Sequence, residues 1–248
     1  MFARNRQKAA QQPAPPDAVQ APAQQPSPAS NLTAELTQSG AQRVVAQRML
    51  ESKQTIPHFY LQTSANAGPA VRRRNAATGA KPAWDAFFVY AAGKALKKYP
   101  RLCASFIAGK LCPQSEDAVG TAVDLDGDLY VCRIADPALK TPELISTEIE
   151  SWVQRLRAGD PTARRIQPAN LTVTNLGAAG VESFTAVINP PEAAILAVGK
   201  IGPVVAALDG RMVIQERVTL TLSVDHRVVN GRYAAEFLAE IVREFESL

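Results

Sequence analysis

His226 is the residue of this chain best suited by type and setting to proton transfer. It sits in Asp225-His226-Arg227-Val228-Val229-Asn230-Gly231. An imidazole has an unperturbed pKa of about 6.5 and can take a proton from a thiol or hydroxyl near neutrality. The alternative for a single histidine is a hydrogen-bonded structural group. Asn230 also has two readings: an amide bracing a site, or the N-cap of a following helix, for which Asn is as good as Asp.

The flanking residues say how such a group would be held. Val218, Leu220, Leu222 and Val224 alternate with Thr219, Thr221, Ser223 and Asp225, the period of a half-buried strand. After Asn230 the period changes. Ala234, Phe237, Leu238, Ile241, Val242 and Phe245 recur at three- and four-residue steps, as on the buried face of a helix. The motif is therefore predicted as strand, turn and terminal helix.

Elsewhere the pattern predicts a helix over about 40–54, a strand over 57–65 and a helix over 83–98. Ala118 to Ile134 reads as two strands joined by Asp126-Gly127, a hairpin signal. Thr141-Pro142 opens a helix over 141–158 as cap and first position. From Leu171 to Asp225 the pattern is mainly strands. This is a mixed α/β order.

The heptapeptide resembles the Asp-His-Arg-x-x-Asp-Gly signature of the dihydrolipoamide acyltransferases, relatives of chloramphenicol acetyltransferase. Further stretches match the family in order: Ser52 to Tyr60, Pro100 to Phe106, Thr172-Val173-Thr174-Asn175-Leu176-Gly177, and Ile188-Asn189-Pro190-Pro191-Glu192 through Gly199. The resemblance covers roughly residues 38–248. It implies a chloramphenicol acetyltransferase-like two-layer α/β fold, with a large mixed sheet and flanking helices.

It also implies roles. His226 would abstract a thiol proton from CoA or dihydrolipoamide, and the Thr174 hydroxyl, where the family usually has serine, would bond the tetrahedral oxyanion. The 52-residue step from Thr174 to His226 equals the family's. Asn230 stands where the family usually has aspartate, and Arg48 is the matching arginine expected to brace it. An amide accepts a hydrogen bond from guanidinium but forms no charged bidentate pair. The implied function is transfer of an acyl group, acetyl first, between CoA and a dihydrolipoyl group on another polypeptide. The alternative is a non-catalytic assembly subunit of a 2-oxoacid dehydrogenase complex. The implied assembly is a homotrimer with each site between two subunits, alongside a lipoyl-bearing protein and the other complex components.

Composition bounds the remainder. At 46% apolar and 6% aromatic residues, the chain reads as a globular protein rich in small aliphatic side chains. No apolar run approaches the eighteen or so residues of a membrane helix, and residues 1–30 hold no apolar core of a secretory signal. Cys103, Cys112 and Cys132 lack the spacing of a disulfide framework or metal site, which suits reduced thiols in a cytoplasmic or organelle-matrix protein. The +4 charge is too scattered for nucleic-acid binding. Its densest run, Arg72-Arg73-Arg74, reads either as a solvated surface or as a contact for CoA phosphates. Residues 1–36, rich in Ala, Pro and Gln, read as a disordered tail, and 37–248 as the catalytic domain.

Overall fold

The computed structural model describes residues 39–165 and 167–248. The Ala/Pro/Gln-rich tail expected over 1–36 lies outside the described residues. The first helix, α1 (Gly40–Thr55), opens on a reciprocal cap in which Ser39 and Gln42 each bond the other's backbone N–H. Strand β1 (His58–Asn66) follows, then α2 (Gly68–Ala76) and α3 (Trp84–Lys98). A small hairpin, β2 (Ala104–Ile107) and β3 (Lys110–Pro113), precedes the longer pair β4 (Ala118–Leu125) and β5 (Asp128–Ala135). Next come α4 (Pro142–Arg157), β6 (Leu171–Asn175), β7 (Ala194–Val198), β8 (Gly202–Leu208), β9 (Arg211–Asp225) and α5 (Gly231–Glu246).

The main sheet runs β1-β9-β7-β6-β4-β5, with β8 paired to the first half of β9. The β4–β6 and β6–β7 pairs are parallel and the others antiparallel, so the sheet is mixed as expected. Val218, Leu220, Leu222 and Val224 of β9 join Leu171 and Val173 of β6 in the core. The helices α3 and α5 contribute to the same core, and Phe88 stacks on Phe245 with centroids 4.6 Å apart. Because side chains alternate across a strand, Thr172 and Thr174 point to the other face. There, with α1 residues, they line a cavity.

Three features depart from the sequence reading. The arginine run lies in a helix, α2, which the sequence pattern did not predict. Ala108 and Gly109, both at positive φ, turn an unforeseen β2–β3 hairpin. Residues 176–193 leave the sheet altogether, with only a 3-10 turn at Gly177–Ala179. Parallel neighbours such as β6 and β7 cannot be joined by a tight hairpin and need a long connection. Here that connection builds part of the site.

Candidate active site

His226 occupies the turn immediately after β9. Asp225, 2% exposed, accepts bonds from the Arg227 backbone N–H at 2.9 Å and from Arg227 Nη2 at 2.7 Å. The Arg227 guanidinium also lies over Phe106, 4.5 Å from the ring centroid. The residues on either side of His226 thus clamp one another, fixing the turn and leaving the imidazole exposed. Its ring meets Phe59 edge-on at 5.4 Å, and its backbone N–H donates to Pro57 at 3.1 Å.

Asn230 accepts from the Tyr233 backbone N–H at 3.0 Å and caps α5. Of its two readings, capping is the one seen in the single chain. Arg48 is committed elsewhere: its Nη2 donates to Asn189 Oδ1 at 2.9 Å and to the Pro190 carbonyl. The expected Arg48–Asn230 brace is therefore not formed within the chain. The loop before β7 offers Arg48 two oxygens, whereas Asn230 spends its own on a helix N-terminus.

Thr174 lines a cavity of about 250 Å³ between the sheet and α1. Its walls are largely apolar, including Val45, Met49, Ala122 and Ile195, with Arg48, Thr172, Asn189 and the exposed Arg164 and Arg165 supplying polar groups. Asn175 anchors the end of β6, donating to Asp85 at 2.7 Å and accepting from the Gly177 N–H at 2.9 Å. Burial raises the pKa of the Asp85 carboxyl, opposed by its hydrogen bonds from Asn175 and Thr121.

The second histidine is structural. The His58 ring accepts from the Ile188 N–H at Nε2, at 3.1 Å, leaving Nδ1 to donate to the Ile56 carbonyl at 2.9 Å. That arrangement fixes the neutral tautomer, and burial lowers the His58 pKa. Ser52 bonds the Ile188 carbonyl at 2.6 Å and Ser223 that of Ala186 at 2.8 Å. Together with Arg48, these side chains staple the 186–190 segment against α1 and the sheet.

Within the single chain, two of the three arginines of the run are engaged with neighbouring elements. Arg73 makes a bidentate pair with Glu143 of α4 at 2.9 and 3.0 Å, holding that carboxyl down to a pKa of about 2. Arg74 donates to Pro82 at 2.9 Å and covers the Trp84 ring. Both guanidiniums fasten α2 to its neighbours, while Arg72 is exposed. Cys103 and Cys132 are free and buried, and burial pushes both thiols up to about 12. Among the described residues no cluster of metal-ligating side chains occurs, and no helix is long and apolar enough to cross a membrane.

Thr174 and His226 do not meet in one chain. Thr174 is level with Ala197 of β7, which is level with Thr221 of β9. His226 lies five residues beyond that point and two strands across. At about 3.3 Å per residue and 4.8 Å per strand, the separation is roughly 19 Å.

A mixed sheet thus carries a histidine turn at one end of β9 and, on β6, a hydroxyl over an apolar cavity. Residues 31–248 match the family described as "2-oxoacid dehydrogenases acyltransferase (catalytic domain)", and the chain belongs to that family. It is 34% identical over 218 residues to the dihydrolipoyllysine-residue acetyltransferase component of the pyruvate dehydrogenase complex of Rhizobium meliloti, covering 84% of this chain and 49% of that protein. The corresponding Rickettsia bellii component is 32% identical over 212 residues, 83% of this chain and 51% of that one. The chain thus spans about half the length of these relatives.

Among solved structures, a probable dihydrolipoamide acetyltransferase of Listeria monocytogenes superposes with a TM-score of 0.81 at 29% identity, covering 86% of this chain and 94% of that one. The dihydrolipoamide acetyltransferase of Azotobacter vinelandii gives 0.78 at 25% identity, covering 91% and 97%. That structure comes from an investigation of the roles of a serine, a histidine and an asparagine in its catalytic mechanism.

Sequence reasoning missed Glu192, a wholly buried carboxylate beside the cavity. The signal was present: a single acid in the otherwise apolar stretch from Pro190 to Val198 must either pair or be buried. The Asp225–Arg227 clamp was equally legible as an acid and a base two residues apart, but its direction was not.

Proposed function

We propose that this chain transfers an acyl group, acetyl first, between CoA and a dihydrolipoyl group borne by another polypeptide of a 2-oxoacid dehydrogenase complex. The observation that carries the reading is a shared spacing. Thr174, His226 and Asn230 have the same 52- and 4-residue steps as the serine, histidine and asparagine studied in the Azotobacter acetyltransferase. An asparagine at this position is therefore no argument against catalysis.

In the proposed reaction the His226 imidazole accepts the proton of the attacking thiol. The thiolate adds to the thioester carbonyl carbon, and the resulting oxyanion takes a hydrogen bond from Thr174 Oγ1. Collapse of the tetrahedral species breaks the original C–S bond, and the departing thiolate recovers the proton from His226. The apolar cavity at Thr174 suits the alkyl arm of such a thiol, and the exposed Arg72 is the remaining candidate from its run for a CoA phosphate.

The separation of Thr174 and His226 supports a site built from two copies, each chain giving its histidine to the hydroxyl of the next. A homotrimer closes that arrangement with three identical sites. The test is CoA-dependent acetylation of free dihydrolipoamide by the purified protein. Activity lost in His226→Ala supports the reading; equal rates in the two proteins overturn it.

A further inference from the structure

We propose that Glu192 is a positioning residue of the Thr174 cavity, joining Arg48 of α1, through Asn189, to the Thr172–Thr174 face of β6. Glu192 is 2% exposed. Its Oε1 accepts from Thr172 Oγ1 at 2.9 Å and from Asn189 Nδ2 at 3.1 Å. Asn189 in turn accepts from Arg48 at 2.9 Å. The result is a continuous chain from α1 to β6, in which Arg48, Asn189 and Thr172 all line the cavity that also holds Thr174.

The other carboxyl oxygen, Oε2, is buried without a partner among the described residues. A buried carboxylate with one bare oxygen is costly, and the neutral acid is favoured. Burial accordingly raises the pKa of this carboxyl to about 8, opposed mainly by the bonds from Thr172 and Asn189 and more weakly by Arg48. In the acid form, the proton sits on Oε2 and Oε1 remains the acceptor for both donors. Among the described residues, Arg48 is the charged side chain acting on it; Thr172 and Asn189 are neutral. Ionisation would place a full negative charge beside Arg48 and compete with Asn189 and the Pro190 carbonyl for its guanidinium.

The link to catalysis rests on the acyl-transfer reading, so the test has a readout independent of activity. Side-chain ¹⁵N resonances of Arg48 are followed from about pH 6 to 9.5 in wild type, Glu192→Gln and Glu192→Ala, alongside the rate of dihydrolipoamide acetylation. Glutamine copies the neutral acid in shape and keeps the Oε1 acceptor. In wild type the Arg48 signal is expected to titrate with a midpoint near the carboxyl's value of about 8, and in Glu192→Gln to stay constant. Glu192→Gln should hold its rate within about twofold at pH 7 and lose the alkaline change in the pH profile, whereas Glu192→Ala should lower kcat roughly tenfold. Arg48 signals that behave alike in wild type and Glu192→Gln, or identical pH profiles of those two proteins, would overturn the proposal. A wild type that titrates Arg48 but transfers no acetyl group would sink the acyl-transfer reading and leave the positioning role standing.

Discussion

Thr174 and His226 point into different regions of one chain, the first level with Thr221 in mid-sheet, the second in the turn beyond Asp225. No rotamer change spans the roughly 19 Å between them. If the two act on one thioester, they must come from different copies.

Co-assembly of His226→Ala and Thr174→Val chains tests this directly. Each variant alone should be nearly inactive. Random mixing at equal amounts should restore roughly a quarter of wild-type activity, because one interface in four then pairs an intact histidine with an intact hydroxyl. Mixtures no more active than the separate variants would place both residues of a working site in one chain.

The Thr174 hydroxyl is expected to act on the transition state rather than on substrate binding. Thr174→Val keeps the shape of the side chain and should lower kcat by about 10²-fold with KM little changed, while Thr174→Ser should retain most activity. Steady-state kinetics with acetyl-CoA and dihydrolipoamide separates the two parameters.

Asn230 caps α5 through its side-chain oxygen, and aspartate offers an equivalent acceptor. Asn230→Asp should therefore leave stability almost unchanged, whereas Asn230→Ala should cost about 1 kcal/mol. Denaturant unfolding of the three proteins measures the difference. An activity loss in Asn230→Asp at unchanged stability would show that the neutral amide matters to the chemistry.

Removing Arg227 would leave the buried Asp225 carboxylate with a single backbone donor from that residue. Arg227→Ala is expected to destabilise the protein by about 2–3 kcal/mol, below the full cost of breaking a buried pair because Arg227 is itself partly exposed. The turn carrying His226 should loosen, so the rate should fall even at temperatures where the fold persists. Calorimetry and kinetics on one preparation check both effects.

His58 gives a pH signature. Its pKa is lowered in the folded chain by burial, so the unfolded chain binds the proton more readily. The stability His58 contributes is present above about pH 6.5 and is lost as the pH falls toward its folded value. The stability gap between wild type and His58→Gln should therefore narrow on acidification from pH 7.5 to about 5.5. A gap that widens would contradict the neutral, doubly bonded ring.

The sequence by itself determined the strand–turn–helix around His226, the helices at 83–98 and 141–158, and the Asp126-Gly127 hairpin. Each depends on local periodicity, caps or turn residues, which neighbouring side chains declare. The 52-residue step between Thr174 and His226 was also legible, since spacing is a property of the chain. Tertiary structure alone decided that Arg73 and Arg74 fasten a helix, that Arg48 serves the Asn189–Pro190 loop, and that Glu192 lies wholly buried. Partners far apart in sequence compete for the same donors and acceptors, and only the packed chain settles which pairs form. The distance between Thr174 and His226 belongs to this second kind: strand order and direction convert a familiar spacing into two half-sites.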